Sequence, residues 1–325
     1  MALVVDGART MSIPVAEQRE EIARSAIGVP GAERCGFTAE VTLPNGAGRL
    51  AASAVFADGA RELLFEIDLA GVRRRRDLLD RMAERVDAIP LPGPDLVYLT
   101  QGLRDLEFYR CAIVPAALNT VEYFETSGID LSRPRRMLDF GCGSGRLLVG
   151  WHALAAGHAL FGCDVNGELI EWARANLPPS LGLRFTRPQP PMPFPDAYFD
   201  VIVAISVFTH LSLASQRVWV DELRRILRPG GALLVTLHGE SYLPLIFRGQ
   251  PEIRDELYRR GHLVTAVGAD GSNQFASVHT RGFAKRVFVG FELAGFFPNG
   301  RLFGRRLAFP SVSLLQDVYV FKRCT

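Results

Sequence analysis

The sequence has no large excess of either charge. Its 325 residues include 37 lysines and arginines against 35 aspartates and glutamates, so the formal net charge is only +2. So small an excess argues against a basic groove for nucleic acid and against binding to an anionic membrane surface. We therefore expect no nucleic-acid partner.

Cysteine is also scarce. The five cysteines are widely spaced and form no C-x-x-C pair; they are Cys35, Cys111, Cys142, Cys163 and Cys324. This pattern argues against a disulfide framework and against a zinc site, and it is typical of a protein in a reducing compartment. We predict no bound metal and a cytoplasmic location.

Long apolar runs are missing as well. The first residues, MALVVDGART, lack the apolar core of a signal peptide. The most apolar window, 147–165, is interrupted by His152, Gly157 and His158, which indicates helix, turn and strand rather than a membrane span. We expect no membrane span. A composition of 48% hydrophobic and 22% charged residues is that of a globular protein with a sizeable core.

Strand and helix patterns alternate between residues 136 and 237. Apolar segments such as MLDF and FDVIVAISV alternate with amphipathic ones such as GELIEWARANL and SQRVWVDELRRIL. Because FDVIVAISV is continuously apolar, helices are expected to cover both of its faces. The alternation predicts an α/β fold with a doubly wound parallel sheet and right-handed crossovers. Residues 315–323 alternate like an edge strand and predict a final antiparallel pair.

The chain divides into three predicted parts. Residues 1–72 form a small β-rich module, 73–100 a charged helix with a Pro-rich linker, and 101–325 the α/β domain. Within the last part, 240–282 is a long, glycine-rich, irregular insertion directly after the predicted fifth strand. Insertions of this length at the ligand end of a sheet often carry function.

A glycine-rich turn follows the first strand of the α/β domain, in MLDFGCGSGRLLVG. Gly141, Gly143 and Gly145 lie at the sheet edge where ligands bind, and the next helix offers its free N–H groups. Arg146 occupies the place of the third glycine of a dinucleotide-binding G-x-G-x-x-G, which disfavours a nicotinamide dehydrogenase. Asp164 ends the next strand, where a carboxylate can accept both hydroxyls of a ribose. Together these features predict a nucleoside ligand that carries an amino-acid-like group in place of a pyrophosphate.

Four motifs in order resemble those of class I S-adenosylmethionine-dependent methyltransferases. They are MLDFGCGSGR, GCDVN, PMPFPDAYFDVIVAISVFTHL and ELRRILRPGGALLVTLHGE, and the resemblance runs from about residue 100 to the C-terminus. It implies a bacterial type with a small N-terminal module, a Rossmann-like seven-stranded sheet with a reversed last strand, and S-adenosyl-L-methionine as cofactor.

The resemblance also implies which residues contact the cofactor. The three glycines would face its methionine part, and Asp139 would organise their loop. Asp164 would bind the ribose hydroxyls and Val165 would flank the adenine, while Ile205 and Ser206 would line the pocket under the sulfonium. For the adenine amino group, Thr186, Gln189 and the backbone all stay open.

Histidines are the candidate bases. A hydroxyl acceptor must lose its proton during transfer, and the pKa of histidine lies near neutrality. His210 follows the fourth predicted strand, His238 follows the fifth, and His279 lies in the insertion. Acceptor contacts are predicted from Tyr109, Phe208, Tyr242 and Asn273.

The predicted function is methyl transfer to an oxygen of a sugar or another small-molecule hydroxyl. The N-terminal part resembles small β modules attached to bacterial enzymes of surface-glycan assembly, which favours a sugar hydroxyl as acceptor, and the expected role is glycan or secondary-metabolite modification. The insertion 240–282 is expected to form the acceptor pocket as a glycine-hinged lid. N- or C-methylation of a small metabolite and a non-catalytic S-adenosylmethionine-binding scaffold remain alternatives, and a homo-oligomer is left open.

Overall fold

A computed structural model describes seven stretches of the chain, namely 2–5, 8–12, 48–55, 61–242, 251–272, 274–300 and 316–325. The described residues divide into two units, one up to Leu79 and the other from Asp80 onward. This division falls inside the predicted linker 73–100. The predicted domain bounds otherwise stay a prediction.

The first unit contains an antiparallel four-stranded sheet in the order β2-β1-β3-β4. Its strands are β1 (Ala2–Val5), β2 (Ala8–Ser12), β3 (Arg49–Val55) and β4 (Arg61–Asp68). These strands lie within residues 1–72, and the β-rich module predicted there stays a prediction, since residues 13–47 lie outside the described residues. A long helix, α1 (Leu69–Asp87), follows β4 and contains the boundary between the units.

Two helices precede the large sheet of the second unit. Helix α2 (Pro94–Gln101) begins with a proline in its first turn and ends at Gly102, which adopts a left-handed conformation with φ +75°. Helix α3 (Leu106–Thr126) is capped by Asp105, whose carboxylate accepts the N–H of Phe108 at 2.9 Å.

The second unit has a seven-stranded sheet in the order β12-β13-β9-β8-β5-β6-β7. Its parallel part comprises β5 (Arg136–Phe140), β6 (Ala159–Asp164), β7 (Gly182–Phe185), β8 (Phe199–Ala204) and β9 (Leu227–Leu237). The crossover helices are α4 (Arg146–Leu154), α5 (Gly167–Asn176) and α6 (Leu213–Ile226). The predicted doubly wound, Rossmann-like sheet with one reversed strand is confirmed.

The reversed strand differs from its prediction in position. Strand β13 (Asp317–Arg323) pairs antiparallel with both β9 and β12 (Phe291–Phe297), so it is an interior strand and not an edge strand. Its alternation is misleading because the apparently polar positions are buried too: Asp317 is 2% exposed and Tyr319 is fully buried.

The insertion is more regular than its sequence indicates. It contains a helix, α7 (Pro251–Arg260), and an antiparallel pair made by β10 (His262–Ala266) and β11 (Ala276–His279). Helix α8 (Arg281–Val287) follows directly. The described helices include none long and apolar enough to cross a membrane.

Candidate active site

The loop after β5 is shaped around glycine. Gly141 and Gly143 have φ of +78° and +55°, a region that side chains disfavour. A Cβ on Gly141 would collide with the side chain of Val207, and one on Gly143 would lie 2.9 Å from the Thr100 methyl. The loop is fixed to the next strand because the N–H groups of Gly141 and Cys142 donate to the Cys163 carbonyl at 2.8 and 3.0 Å. At Gly141 and Gly143 the loop therefore presents backbone atoms without side chains at the carboxyl edge of the sheet.

Two carboxylates lie at this edge. Asp139 is 4% exposed, and burial together with the nearby charge of Asp164 raises its pKa to about 7, against a smaller opposing effect of Arg146. Burial also raises the pKa of Asp164, although backbone N–H groups counteract it. Buried carboxylates in excess of buried cations favour a ligand that brings positive charge.

Asp164 has a further structural task. Its Oδ2 accepts the N–H of Gly143 at 2.8 Å, and its Oδ1 accepts the N–H of Asn166 at 2.9 Å. A carboxylate offers about four lone-pair sites, so these two bonds leave capacity for two hydroxyl donors. The side chain is half-buried and thus open to a ligand.

Exposed apolar side chains lie beside this carboxylate. Val165 and Phe185, at the ends of β6 and β7, are 47% and 48% exposed. Thr186, by contrast, is 3% exposed, and its N–H donates to the Asp164 carbonyl at 2.9 Å. Gln189 is exposed. Of the two side chains left open for the adenine amino group, the structure therefore leaves Gln189 accessible.

Helices α2 and α3 are joined to the glycine loop through Ser144. The hydroxyl oxygens of Tyr109 and Thr100 lie 2.7 and 3.0 Å from Ser144 Oγ, and Thr100 donates to the Leu96 carbonyl at 3.0 Å. Burial raises the pKa of Tyr109 to about 12, so the phenol is a donor. The chain of hydrogen bonds then runs from Tyr109 through Ser144 to Thr100. Sequence reasoning missed Thr100 and Ser144, although Ser144 stands inside the glycine motif.

His210 is half-buried and follows β8 in a short 3₁₀ turn. Its Nδ1 lies 2.8 Å from the carbonyl oxygen of Phe275. Because a carbonyl oxygen only accepts, Nδ1 is the donor in this bond, which leaves Nε2 as the ring nitrogen that can accept a proton. This is the arrangement that a histidine base requires.

His238 is 8% exposed and stacks on Tyr242, with ring centroids 4.1 Å apart and planes 6° from parallel. Burial, then the charge of His210, lowers the pKa of His238 to about 4, although a hydrogen bond to the Ser277 backbone opposes this. Its Nδ1 has no hydrogen-bond partner among the residues that the structure describes. A base with so low a pKa accepts protons poorly near neutral pH.

His279 is fully buried. Its Nε2 lies 3.0 Å from Gln216 Oε1, and burial, then the charges of His262 and His238, lowers its pKa to about 3. A ring without exposed surface is better suited to holding the insertion in place than to touching an acceptor. Gln216 also donates to the carbonyls of Phe208 and Leu211, at 2.9 and 3.0 Å.

The predicted acceptor contacts lie in different surroundings. Tyr242 is half-buried beside His238, and Tyr109 is buried against Ser144. Phe208 is fully buried in the core, 5.2 Å from Phe288 between ring centroids, so we do not carry it into the proposed acceptor site. Asn273 lies outside the described residues.

The sequence predicts that the insertion is a hinged lid, but in the structure hydrogen bonds anchor part of it. The Asp270 carboxylate accepts from Ser212 N, Ser212 Oγ and Ser215 Oγ at 2.6, 2.8 and 2.5 Å. Gly271 donates its N–H to the His210 carbonyl at 2.8 Å. These bonds hold Asp270 and Gly271 in place beside His210. Within the described part of the chain, no group of three or more potential metal ligands is found.

Comparison with protein families gives the deciding match. A model of the family described as "Methyltransferase domain" matches residues 138–235, which extend from β5 to β9. This segment holds the glycine loop and both carboxylates.

Residues 138–235 form a methyltransferase domain of this family. S-adenosylmethionine is accordingly the cofactor of this methyltransferase domain. The curated relatives each match part of the chain. The chain is 35% identical over 103 residues to "Probable tRNA methyltransferase 9B" of Mus musculus, a match that covers 30% of this chain and 20% of the mouse protein.

A second relative is the ubiquinone/menaquinone biosynthesis C-methyltransferase of Neisseria meningitidis. It is 29% identical over 145 residues, which cover 41% of this chain and 55% of the relative. The chain thus spans a fifth to about half of the length of these relatives.

Solved structures similar to this chain share little sequence with it. A 1,6-didemethyltoxoflavin-N1-methyltransferase from Burkholderia thailandensis has 15% identity and a TM-score of 0.46, over 87% of this chain and 99% of that chain. An S-adenosylmethionine-dependent methyltransferase from Methanosarcina mazei has 19% identity and a TM-score of 0.44, over 59% of this chain and 93% of that chain.

The residues of the methyltransferase domain fit its cofactor. The left-handed backbone at Gly141 and Gly143 keeps these two positions free of side chains, and Asp164 retains lone pairs for ribose hydroxyls. The ammonium group of S-adenosylmethionine would favour the ionised form of Asp139, whose pKa is raised to about 7. The individual contacts of Val165, Ile205 and Ser206, which lie at the same sheet edge, remain predictions.

Proposed function

We propose that the protein transfers the methyl group of S-adenosylmethionine to an oxygen of a small-molecule acceptor, with a sugar hydroxyl as the expected class. The bound cofactor supplies an electrophilic methyl group. The protein must then orient the acceptor hydroxyl in line with that methyl and take its proton.

The observation that carries this proposal is the hydrogen bond between His210 and the Phe275 carbonyl. Its Nδ1 is occupied by the Phe275 carbonyl at 2.8 Å, which fixes the tautomer and reserves Nε2 for a proton from the acceptor. His210 follows β8, whose C-terminal end meets the glycine loop through the contact of Val207 with Gly141. Methyl transfer to an alcohol needs a base that removes the hydroxyl proton, whereas methyl transfer to a neutral amine does not.

The other two histidines are assigned lesser roles. His238 and Tyr242 form a stacked pair at the end of β9 that can serve as a wall for a flat or cyclic acceptor. His279 supports β11 through Gln216. His210 is therefore the base that we propose, in preference to His238 and His279.

The names of the relatives widen the range of acceptors to be tested. They include a tRNA methyltransferase and a C-methyltransferase of quinone biosynthesis. The net charge of +2 offers little to a polyanion, so we keep a small molecule as the proposed acceptor. Binding of the cofactor without turnover is the non-catalytic alternative.

The proposal is tested by a transfer screen with S-adenosylmethionine labelled in its methyl group. The panel contains sugar nucleotides, oligosaccharides, phenolic and quinone-type metabolites, amines and bulk tRNA, and products are identified by mass spectrometry. Label on a hydroxyl oxygen of a small molecule supports the proposal. Label on carbon, nitrogen or tRNA alone would replace it with the corresponding alternative.

Two variants serve as matched controls in this screen. His210→Ala should lose transfer while it still binds S-adenosylhomocysteine. His152→Ala removes an exposed histidine of α4 and should behave like the parent. Cofactor binding by the parent with no product from any acceptor would favour the scaffold.

A further inference from the structure

Ser206 has an unusual backbone conformation at the end of β8. Its φ is +59°, although it is not a glycine. Residues held in this region are strained, and they persist only where the surrounding structure fixes them; such positions are frequent at functional sites. The bonds around Ser206 show what fixes it.

A closed ring of three hydrogen bonds holds this residue. The N–H of Ser206 donates to Thr236 Oγ1 at 2.7 Å, Thr236 Oγ1 donates to Gln316 Oε1 at 2.5 Å, and Gln316 Nε2 donates to Ser206 Oγ at 2.8 Å. The ring joins the end of β8, strand β9 and the residue before β13. Ser206 and Gln316 are 110 positions apart in the sequence.

The direction of every bond in the ring is forced. The Ser206 N–H and Gln316 Nε2 only donate, and Gln316 Oε1 only accepts, so Thr236 gives its proton to Gln316 and Ser206 Oγ accepts. Ser206 consequently keeps its own hydroxyl proton for another partner. Among the residues that the structure describes, no acceptor for that proton is seen.

The three residues of the ring differ in their exposure to solvent, and only one of them is accessible to a ligand. Thr236 is fully buried and Gln316 is 8% exposed, whereas Ser206 is only half-buried. Ser206 also adjoins Val207, which covers Gly141 of the cofactor loop, and precedes His210 by one short turn. Ser206 thus stands directly before the residue that covers the cofactor loop and four positions before the proposed base. A ring that served packing alone would not need a free donor there.

We propose that Gln316 is a positioning residue that, with Thr236, holds the Ser206 hydroxyl as a hydrogen-bond donor to the methyl acceptor. This inference rests on the proposed function. A hydrogen bond donated to the attacking oxygen would lower its nucleophilicity, so the target is a neighbouring oxygen. The acceptor class is therefore one with two adjacent oxygens, such as a vicinal diol of a sugar.

The test combines substitutions of the donor and of its support. Ser206→Gly keeps a backbone suited to positive φ and removes the CH2OH side chain with its hydroxyl, and Gln316→Leu removes the support. Both should lower kcat/KM for the acceptor found in the screen about 10- to 100-fold, while S-adenosylhomocysteine affinity changes by less than about 3-fold. Gln316→Leu should add almost nothing in the Ser206→Gly background, because the two act through one hydroxyl.

Thr236→Val and Thr120→Val form a matched pair for the same assay. Thr120 is also buried, accepts from Trp151 Nε1 and donates to the Ala117 carbonyl, but lies on α3 away from the sheet edge. Only Thr236→Val should lower kcat/KM. Equal effects of the two threonine variants, or additive effects of Ser206→Gly and Gln316→Leu, would show a structural role and overturn the proposal.

A crystal structure with S-adenosylhomocysteine tests the proposal without any acceptor. We expect the ring to be intact and the Ser206 hydroxyl to bond no cofactor atom. A hydroxyl bonded to the cofactor would overturn the inference and leave methyl transfer standing. A protein that binds no S-adenosylhomocysteine at all would instead remove the proposed function, and the inference with it.

Discussion

The carboxylate of Asp164 accepts the backbone N–H of Gly143 at 2.8 Å. This bond ties the end of β6 to the glycine loop that follows β5, across the two adjacent parallel strands. One side chain thereby shapes the loop and keeps lone pairs for a ligand. Because this bond joins the loop to the carboxylate, a substitution at either residue should weaken cofactor binding.

Removal of the Asp164 carboxylate should weaken cofactor binding. We expect Asp164→Ala to lower S-adenosylhomocysteine affinity by roughly 1–3 kcal/mol, since the ribose hydroxyls and Gly143 N–H lose a charged acceptor. Asp164→Asn should lose less because its carbonyl oxygen still accepts. Titration calorimetry measures both, with Asp95→Ala as an exposed control whose partner is Arg104. Parent-like affinity in Asp164→Ala would mean that the site lies elsewhere.

A side chain at position 143 should weaken cofactor binding more than a side chain at another glycine of similar backbone conformation. Gly143→Ala combines φ of +55° with a Cβ only 2.9 Å from the Thr100 methyl, whereas Gly230→Ala has φ of +72° and nothing within 4 Å. Both should lose about 1 kcal/mol of unfolding free energy through backbone strain. Only Gly143→Ala should also lose S-adenosylhomocysteine binding. Equal binding by the two variants would contradict the assignment of this loop.

Asp139 should make the stability of the protein depend on pH. Its pKa is raised from 3.8 to about 7, so the folded state holds the proton more tightly than the unfolded chain. The associated stability is complete below about pH 4 and is lost as the pH rises through about 7. Asp139→Asn, which has no charge to bury, should therefore gain unfolding free energy relative to the parent between pH 5 and pH 8.5, by at most roughly 3 kcal/mol. Urea unfolding at both pH values measures this difference, and an unchanged difference would contradict the raised pKa.

The same carboxyl group should couple pH to cofactor binding. An ammonium group near Asp139 favours its ionised form, so binding releases a proton below about pH 7. The affinity for S-adenosylhomocysteine should rise from pH 6 to pH 8 in the parent and stay flat in Asp139→Asn. Calorimetry in two buffers of different ionisation enthalpy would detect the released proton, and a flat parent profile would count against this carboxyl as the ammonium partner.

Replacement of His210 should separate chemistry from binding. His210→Ala should lower kcat by about 10²- to 10⁴-fold with little change in S-adenosylhomocysteine affinity, because a general base contributes about that factor. His279→Ala should instead lower the free energy of unfolding, since it leaves Gln216 Oε1 without its 3.0 Å partner. Kinetics on the identified acceptor and urea unfolding distinguish the two. A larger kinetic loss in His279→Ala than in His210→Ala would return the base to His279.

The sequence predicts the parts of this fold that repeat locally. The parallel strands from β5 to β9 and their helices follow from periodicity, and Asp139 and Asp164 follow from their places at strand ends. The position of β13 does not, since the apparently polar Asp317 and Tyr319 are buried between two neighbouring strands. Local pattern carries no information on which strand lies beside which.

The residues that sequence reasoning missed are those brought in from far along the chain. Thr100 reaches Ser144 over 44 positions and Gln316 reaches Ser206 over 110. A lone threonine or glutamine has no signature in sequence, because its role depends on which buried partner it meets. His279 shows the converse: its place in the insertion predicts a base, but only the structure shows that Gln216 holds a fully buried ring.

Titration calorimetry of the full chain with S-adenosylhomocysteine and, separately, with NAD tests the central claim most directly. The glycine loop, with Arg146 where a dinucleotide site needs glycine, and the carboxylate of Asp164 predict one-to-one binding of S-adenosylhomocysteine and no heat from NAD. Binding of NAD with no response to S-adenosylhomocysteine would contradict the account.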